Sequence, residues 1–201
     1  MSSYQILSYK LKKQGFNMNI YEKCPTLENE NYVIRLFSPD DLEDLLKVYS
    51  DKNALPFFNS DNCHGDNFFY DTKEKMQKAL EFWKMSYENG WFVRFSIYDK
   101  KSATVIGTAE LCVRVSDDVF NNTWILRVDV RSDFEKADVL FEIFAIVSNF
   151  LSQNFPNQKI ITKVPLYAVE RIKAVTQAGF SKSENCLIGT NGFAYDGYWI
   201  K

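Results

Sequence analysis

The stretch from residue 123 to residue 147 constrains the fold most, because it changes abruptly from the periodicity of a strand to that of a helix. Its first part, TWILRVDV, places alternate residues on opposite faces, as a β-strand does. Its last part repeats apolar residues at the spacing of one helix face, Leu140, Ile143, Phe144 and Val147, and Leu151 beyond it continues the same face. The polar run RSDFEKAD joins the two parts. The sequence therefore predicts a strand that turns directly into a long apolar helix.

The turn in this stretch is a candidate phosphate site. A helix that begins where a strand ends directs unpaired main-chain N–H groups toward that end, and such groups bind phosphate. An ordinary strand–turn–helix connection without any ligand explains the same pattern, and the stretch taken alone favours that simpler interpretation.

Length, charge and cysteine spacing limit the function classes. The 201 residues, 46% of them hydrophobic, suffice for one domain with a substantial core. A net charge of −2 gives no basic excess for binding nucleic acid or an anionic membrane. Four widely spaced cysteines without a C-x-x-C pair are typical of free thiols in a reducing compartment. No secretory segment and no membrane-spanning apolar run is evident, so we expect a soluble cytoplasmic protein.

Several kinds of chemistry are disfavoured by missing motifs. The chain has one histidine, His64, and no second Cys/His pair that would complete a metal site around it, so we expect no metal. A Ser-His-Asp set is hard to build on one histidine, and no Walker or Rossmann glycine loop is present. Hydrolase, kinase and dehydrogenase functions are therefore disfavoured.

The remaining pattern predicts an α+β fold with a mixed seven-stranded sheet and about four helices. We expect strands over 32–37, 91–98, 104–115, 123–130 and 158–164, and a final pair over 186–189 and 194–200. Helices are expected after Ser38-Pro39, after an Asp71–Glu74 capping box, after the polar run 131–138 and over 167–178. Residues 1–30, with a short helix near 6–13, form an N-terminal arm, and residues 31–201 form the domain. An edge of the final hairpin is available for pairing in a homodimer.

This order of elements, with the run VPLYAVERIKAVTQAGFSKSE near the C-terminus, resembles the GNAT N-acetyltransferase superfamily. More narrowly, it is similar to the branch that acetylates ribosomal-protein N-termini and small amines, where a helix ends in Gly-Phe as at Gly179-Phe180. The resemblance spans about residues 32–200, and Glu142 stands where that branch carries a helix Glu. It implies a GNAT-like transferase that moves an acetyl group directly from acetyl-CoA, its co-substrate, to a small-molecule or peptide amine in a ternary complex.

The resemblance also assigns a cofactor site. In this family the strand before the turn separates from its neighbour, and its main chain pairs with the pantetheine arm. That role falls to Val128, Asp129 and Val130. Pyrophosphate binding falls to the turn and the helix start, which comprise Arg131, Lys136, Ala137, Asp138, Val139 and Leu140. The family turn reads Arg/Gln-x-x-Gly-x-Gly/Ala, whereas this chain reads EKADVL from Glu135, so Lys136 and Asp138 replace its glycines.

Two residues are candidates for proton transfer. Glu110, mid-strand beside the presumed cofactor strand, is the candidate general base, and a salt bridge to Arg127 or Arg114 is the alternative. Tyr167, before the last helix, is the candidate acid, with a packing role as the alternative. Arg127 and Asp129 share a strand face, where they bind a polar substrate or pair with each other.

A non-catalytic role is the competing hypothesis. The Asn that starts the family's last helix and the Tyr that serves as its general acid align with Ala168 and Val175. Together with the altered turn, these departures are also consistent with a catalytically impaired GNAT-like domain. Such a domain would bind acyl-CoA or a partner without turnover.

Overall fold

A computed structural model describes residues 18–201, which fold into ten strands and four α-helices. The strands are β1 (Leu27–Glu28), β2 (Tyr32–Leu36), β3 (Val93–Asp99), β4 (Thr104–Arg114), β5 (Thr123–Val130), β6 (Ile160–Lys163), β7 (Ser181–Lys182), β8 (Leu187–Ile188), β9 (Ala194–Tyr195) and β10 (Tyr198–Ile200). The helices are α1 (Leu42–Tyr49), α2 (Lys73–Glu88), α3 (Ala137–Asn154) and α4 (Val169–Gln177). The helix predicted near 6–13 lies outside the described residues. None of the helices in 18–201 has the length and apolar character needed to cross a membrane.

The main sheet has the order β1-β2-β3-β4-β5-β6-β10-β7, in which only β5 and β6 pair in parallel. The predicted α+β class is confirmed, with eight strands rather than seven in the main sheet. Leu27 and Glu28, within the predicted arm, add the edge strand β1. The predicted strand over 194–200 is interrupted because Gly197 adopts a positive φ of 78°. Its first half pairs with β8, and its second half, β10, joins β6.

The cap of α2 lies one residue later than predicted. Thr72, in extended conformation, accepts a hydrogen bond from the Lys75 N–H at 3.3 Å. Asp71 instead forms an ion pair with the Lys75 side chain at 2.6 Å. The capping box predicted for Asp71 and Glu74 was therefore wrong. Asn89-Gly90 ends the helix, since Gly90 has a φ of 70° directly after it.

The helices cover the two faces of the sheet in pairs. The helices α3 and α4 pack on one face over the even-numbered side chains of β5, all buried: Trp124, Leu126, Val128 and Val130. The predicted apolar face of α3 is buried there as well. The helices α1 and α2 pack on the other face through an apolar cluster that includes Tyr49 and Trp83. The polar side chains of β5, Arg127 and Asp129, therefore lie beneath α1 and α2.

Candidate active site

A gap opens between β5 and β6 along the second half of β5. The two strands pair only at Trp124 with Ile160 and at Ile125 with Ile161. On its other side, β5 pairs with β4 over its whole length, from Thr123 to Val130. The divergence places an open strand edge beside the N-terminus of α3, at the location where the resemblance predicts the acetyl donor.

The main chain of alternate β5 residues faces this gap. The N–H of Trp124 donates toward β6, to the Lys159 carbonyl at 2.8 Å, whereas the N–H of Arg131 donates toward β4, to a carbonyl at 2.9 Å. Because main-chain groups alternate in direction along a strand, the even-numbered residues face the gap. Of the three residues assigned to pantetheine, Val128 and Val130 can reach it. The main chain of Asp129 points to β4.

The side chain of Arg171, from α4, fills this gap. Its Nη1 donates to the Val128 carbonyl at 2.6 Å, and its Nε and Nη2 donate to both Glu135 carboxylate oxygens at 2.5 and 2.9 Å. The Arg171 and Glu135 side chains are only 2% and 8% exposed. The guanidinium also lies 5.9 Å from the centre of the Phe57 ring. A main-chain carbonyl expected to receive the cofactor is thus already bonded within the chain.

The start of α3 is also occupied by groups of the chain. The N–H of Ala137, the first residue of α3, donates to the Glu170 carboxylate at 3.1 Å. The Arg131 guanidinium pairs with Asp133 at 2.6 and 2.9 Å. Lys136 precedes the helix without a side-chain capping bond. Both Arg131 and Ala137, predicted to bind pyrophosphate, therefore already contact carboxylates.

The rest of the predicted turn differs in exposure. Asp138 is exposed, and Val139 is half-buried against the core. Leu140 is fully buried, and its N–H forms the first hydrogen bond of α3, to the Lys136 carbonyl at 2.9 Å, so neither its side chain nor its N–H is available to phosphate. Glu142, further along α3, accepts hydrogen bonds from the side chains of two asparagines in the β1–β2 segment. These positions restrict the candidate phosphate contacts to the first turn.

In this conformation the residues do not fit an acyl-CoA thioester. The Val128 carbonyl is taken by Arg171, and a carboxylate, from Glu170, sits at the helix start where a pyrophosphate would lie. Asp138, exposed on the same turn, adds a negative charge that repels a phosphate. Nucleotide binding therefore requires the contacts of Arg171 and Glu170 to change.

Beneath α1 and α2, Glu110 lies between two arginines. The sheet register places it directly opposite Arg94 on β3 and Arg127 on β5. Arg94 contacts one carboxylate oxygen at 2.5 Å and Arg127 contacts the other. Burial alone raises the pKa of Glu110, but the two arginines outweigh burial and hold that pKa below its usual range. Arg114, the other predicted partner, pairs with Asp118 instead. With both oxygens bonded and its pKa lowered, Glu110 is poorly suited to accept a proton.

Asp129 differs from Glu110 in that, within the described part of the chain, one of its carboxylate oxygens is unpartnered and its pKa is raised. Its Oδ2 accepts hydrogen bonds from the Tyr49 hydroxyl at 3.1 Å and from Arg94 at 3.3 Å, while its buried Oδ1 has no partner among residues 18–201. Burial raises the pKa of Asp129. The pairing predicted between Arg127 and Asp129 is replaced by contacts to Glu110 and Arg94. The network thus contains one acid that is held ionised and one whose charged form is disfavoured.

Tyr167 holds a turn rather than presenting a free hydroxyl. The side chain is 62% exposed, and its hydroxyl donates to the Pro56 carbonyl at 2.5 Å. The ring also lies 6.0 Å from that of Phe57. His64 lies in the neighbouring loop with a positive φ of 55°. Within residues 18–201, no cluster of three or more metal-binding side chains is found.

The loop between α1 and α2 is fastened over this part of the sheet. The Asp61 carboxylate accepts hydrogen bonds from Lys163 on β6 at 2.6 and 2.7 Å and from the Tyr198 hydroxyl on β10 at 3.2 Å. The Asp61 carbonyl accepts from Arg127 at 3.0 Å. Asn62 accepts from the β8–β9 turn. Sequence analysis did not single out Asp61, because its partners lie far along the chain.

The fold is that of the GNAT acetyltransferases. A GNAT acetyltransferase from Bacillus anthracis is 11% identical and has a TM-score of 0.65, covering 88% of this chain and 98% of its own. A ribosomal-protein-S5-alanine acetyltransferase from Vibrio fischeri is 15% identical with a TM-score of 0.62, and the alignment covers 88% and 94%. A spermidine N-acetyltransferase from Vibrio cholerae, solved with CoA and spermine, is 12% identical with a TM-score of 0.59, covering 86% and 96%. No protein-family model matches the chain, and no curated protein matches it by sequence.

Proposed function

We propose that this protein is an N-acetyltransferase that transfers an acetyl group from acetyl-CoA directly to a small-molecule or peptide amine in a ternary complex. The observation that carries the proposal is the divergence of β5 from β6, which turns the main chain of Val128 and Val130 toward an open edge. Main-chain donors of this kind stabilise developing charge without requiring a particular side chain. The similarity in fold to spermidine and ribosomal-protein acetyltransferases supports the same class of reaction.

The residues predicted for proton transfer enter this proposal in supporting roles. Glu110 fixes β3, β4 and β5 to one another through its two arginine partners. Tyr167 holds the turn at Pro56 beside the gap. Asp129 is our candidate for the group that accepts the amine proton, because it carries an unpartnered carboxylate oxygen on the strand that borders the gap.

An acceptor survey tests the proposed function. We expect thiol release from acetyl-CoA above the acceptor-free rate with at least one of spermidine, an aminoglycoside and a peptide with a free N-terminus. Mass spectrometry of the acceptor identifies the acetylated amine and separates transfer from thioester hydrolysis. Absence of acetylated product from every acceptor, in the wild-type protein and in the opened variants described below, would contradict the proposal.

A second candidate function is favoured by the filled gap. The contacts of Arg171 with Val128 and Glu135 are those expected of a domain that has lost catalysis and binds an acyl-CoA or a protein partner without turnover. The same survey distinguishes the two functions when it is combined with calorimetry, because CoA binding without acetylated product favours the second candidate.

A further inference from the structure

We infer that the chain closes its own donor gap with two consecutive residues of α4, Glu170 and Arg171, acting with Glu135. This inference rests on the proposed function, because it assumes that the gap between β5 and β6 is the donor site. Arg171 and Glu135 are called the closing pair below. The closing pair takes the position of an extended ligand along β5, and Glu170 takes the position of an anion at the start of α3.

The closing pair is a buried, bidentate ion pair and not a loose contact between surface side chains. Three nitrogens of Arg171 are bonded, and both Glu135 oxygens are used in a fork-to-fork geometry. Both side chains are almost completely excluded from solvent. A free main-chain carbonyl in a buried gap requires a partner, and Arg171 supplies one at Val128 in place of a ligand amide.

The contacts at the two ends of the gap are mechanically linked. Glu170 and Arg171 are neighbours in the first turn of α4, so one shift of that turn changes both contacts. The same segment begins with three exposed side chains, Leu166, Tyr167 and Val169, and Tyr167 is bonded to the exposed turn at Pro56. Within this segment Ala168 is buried in the same core as Ala174 and Val175, so the exposed side chains are the part that can shift with least loss of packing.

The charges also oppose nucleotide entry in the closed state. The Glu170 carboxylate, which also pairs with Lys173 at 2.6 Å, lies at the Ala137 N–H, while Arg171 and Glu135 neutralise each other. Opening the gap removes the carboxylate from the Ala137 N–H and exposes the Val128 carbonyl in one step. The structure thus assigns closure of the donor site to this chain's own side chains.

Calorimetric titration with CoA tests this inference on three variants. Arg171→Ala combined with Glu135→Gln removes the closing pair without leaving either charge buried alone. Glu170→Ala removes a side chain that is 42% exposed, so the fold is retained, and it uncovers the Ala137 N–H. We expect the double variant to bind CoA at least about tenfold more tightly than the wild type, because the fraction of binding-competent protein rises. Glu170→Ala should bind more tightly by a smaller factor. Glu88→Gln, on the exposed surface of α2, removes one negative charge as Glu170→Ala does and should match the wild type.

The outcomes separate this inference from the proposed function. Wild-type protein that binds CoA as tightly as the folded variants overturns self-closure and leaves the acetyltransferase proposal standing. Folded variants that bind no CoA, together with a wild type that binds none, overturn both. If the double variant lacks a cooperative melting transition, the CoA affinity of Glu170→Ala is compared with that of the wild type. Equal affinities then overturn the inference.

Discussion

Replacing Glu110 with glutamine should lower the free energy of unfolding by about 3–5 kcal/mol, the cost of breaking a buried ion pair from one side. Arg94 and Arg127 share the Glu110 carboxylate, and Glu110 is 2% exposed. The neutral amide leaves both guanidinium groups without their common counter-charge. Urea unfolding followed by tryptophan fluorescence measures the change, since Trp83 and Trp124 are buried.

Asp129→Asn is the matched control for this experiment. Burial raises the pKa of Asp129, so the charged form contributes little to stability, and the expected cost is about 1 kcal/mol or less. The pKa of Glu110 is lowered in the folded state, so its contribution is present above the pKa of an exposed glutamate and is lost as the pH falls through the folded-state value. Glu110→Gln should therefore lose less stability on acidification than the wild type. Equal costs for the two variants at neutral pH would contradict this description of the network.

Replacing Gly107 with alanine should destabilise the protein by about 3 kcal/mol, because an added methyl group has no space on β4. A Cβ at this position would lie 2.2 Å from the Asp129 carbonyl oxygen and 2.8 Å from the Val130 Cα. Both atoms belong to the main chain of β5, so relief requires β4 and β5 to move apart. The same movement would displace Val130, whose main chain borders the gap.

Gly192→Ala is the control for Gly107→Ala, because it tests the effect of backbone conformation without a steric clash. Gly192 lies in the β8–β9 turn with a φ of 79°, and an added Cβ there meets no atom within 4 Å. Replacing it with alanine lowers the free energy of unfolding by about 1–2 kcal/mol, because alanine is strained in the left-handed conformation. Thermal melting of the two variants compares the effects. A smaller loss for Gly107→Ala than for Gly192→Ala would show that β4 and β5 are not packed as closely as described.

The strands and helices could be predicted from the sequence because the residue patterns that specify them are local. The strand over 123–130 was predicted with its observed limits, and the other long strands end within about two residues of the predicted positions. The buried face of α3 also matched, since helical spacing identifies it without knowledge of the fold. The limits of β10 were missed because the effect of Gly197 depends on its φ, which composition does not fix.

The side-chain pairings in the candidate site could not be predicted from local patterns. Whether Glu110 pairs with Arg127 depends on the register between β4 and β5, because a shift of one residue would place the two side chains on opposite faces of the sheet. The closing pair joins residues 36 positions apart in the chain, through the packing of α4 against α3. One signal was available, because Arg171 occupies the helix face that also carries Ala168, Ala174 and Val175. An arginine on the apolar face of a helix requires a buried partner.

The central claim is that acetyl-CoA binds along β5 once the closing pair is removed, and amide chemical shifts test it most directly. The protein is labelled with nitrogen-15 valine, and acetyl-CoA is titrated into the Arg171→Ala/Glu135→Gln variant. We predict that the largest shifts occur at Val128 and Val130, whose N–H groups face the gap, while Val113, on β4 opposite Trp124, stays unchanged. Shifts that leave both Val128 and Val130 unchanged while other valines move would place the ligand elsewhere and contradict the account.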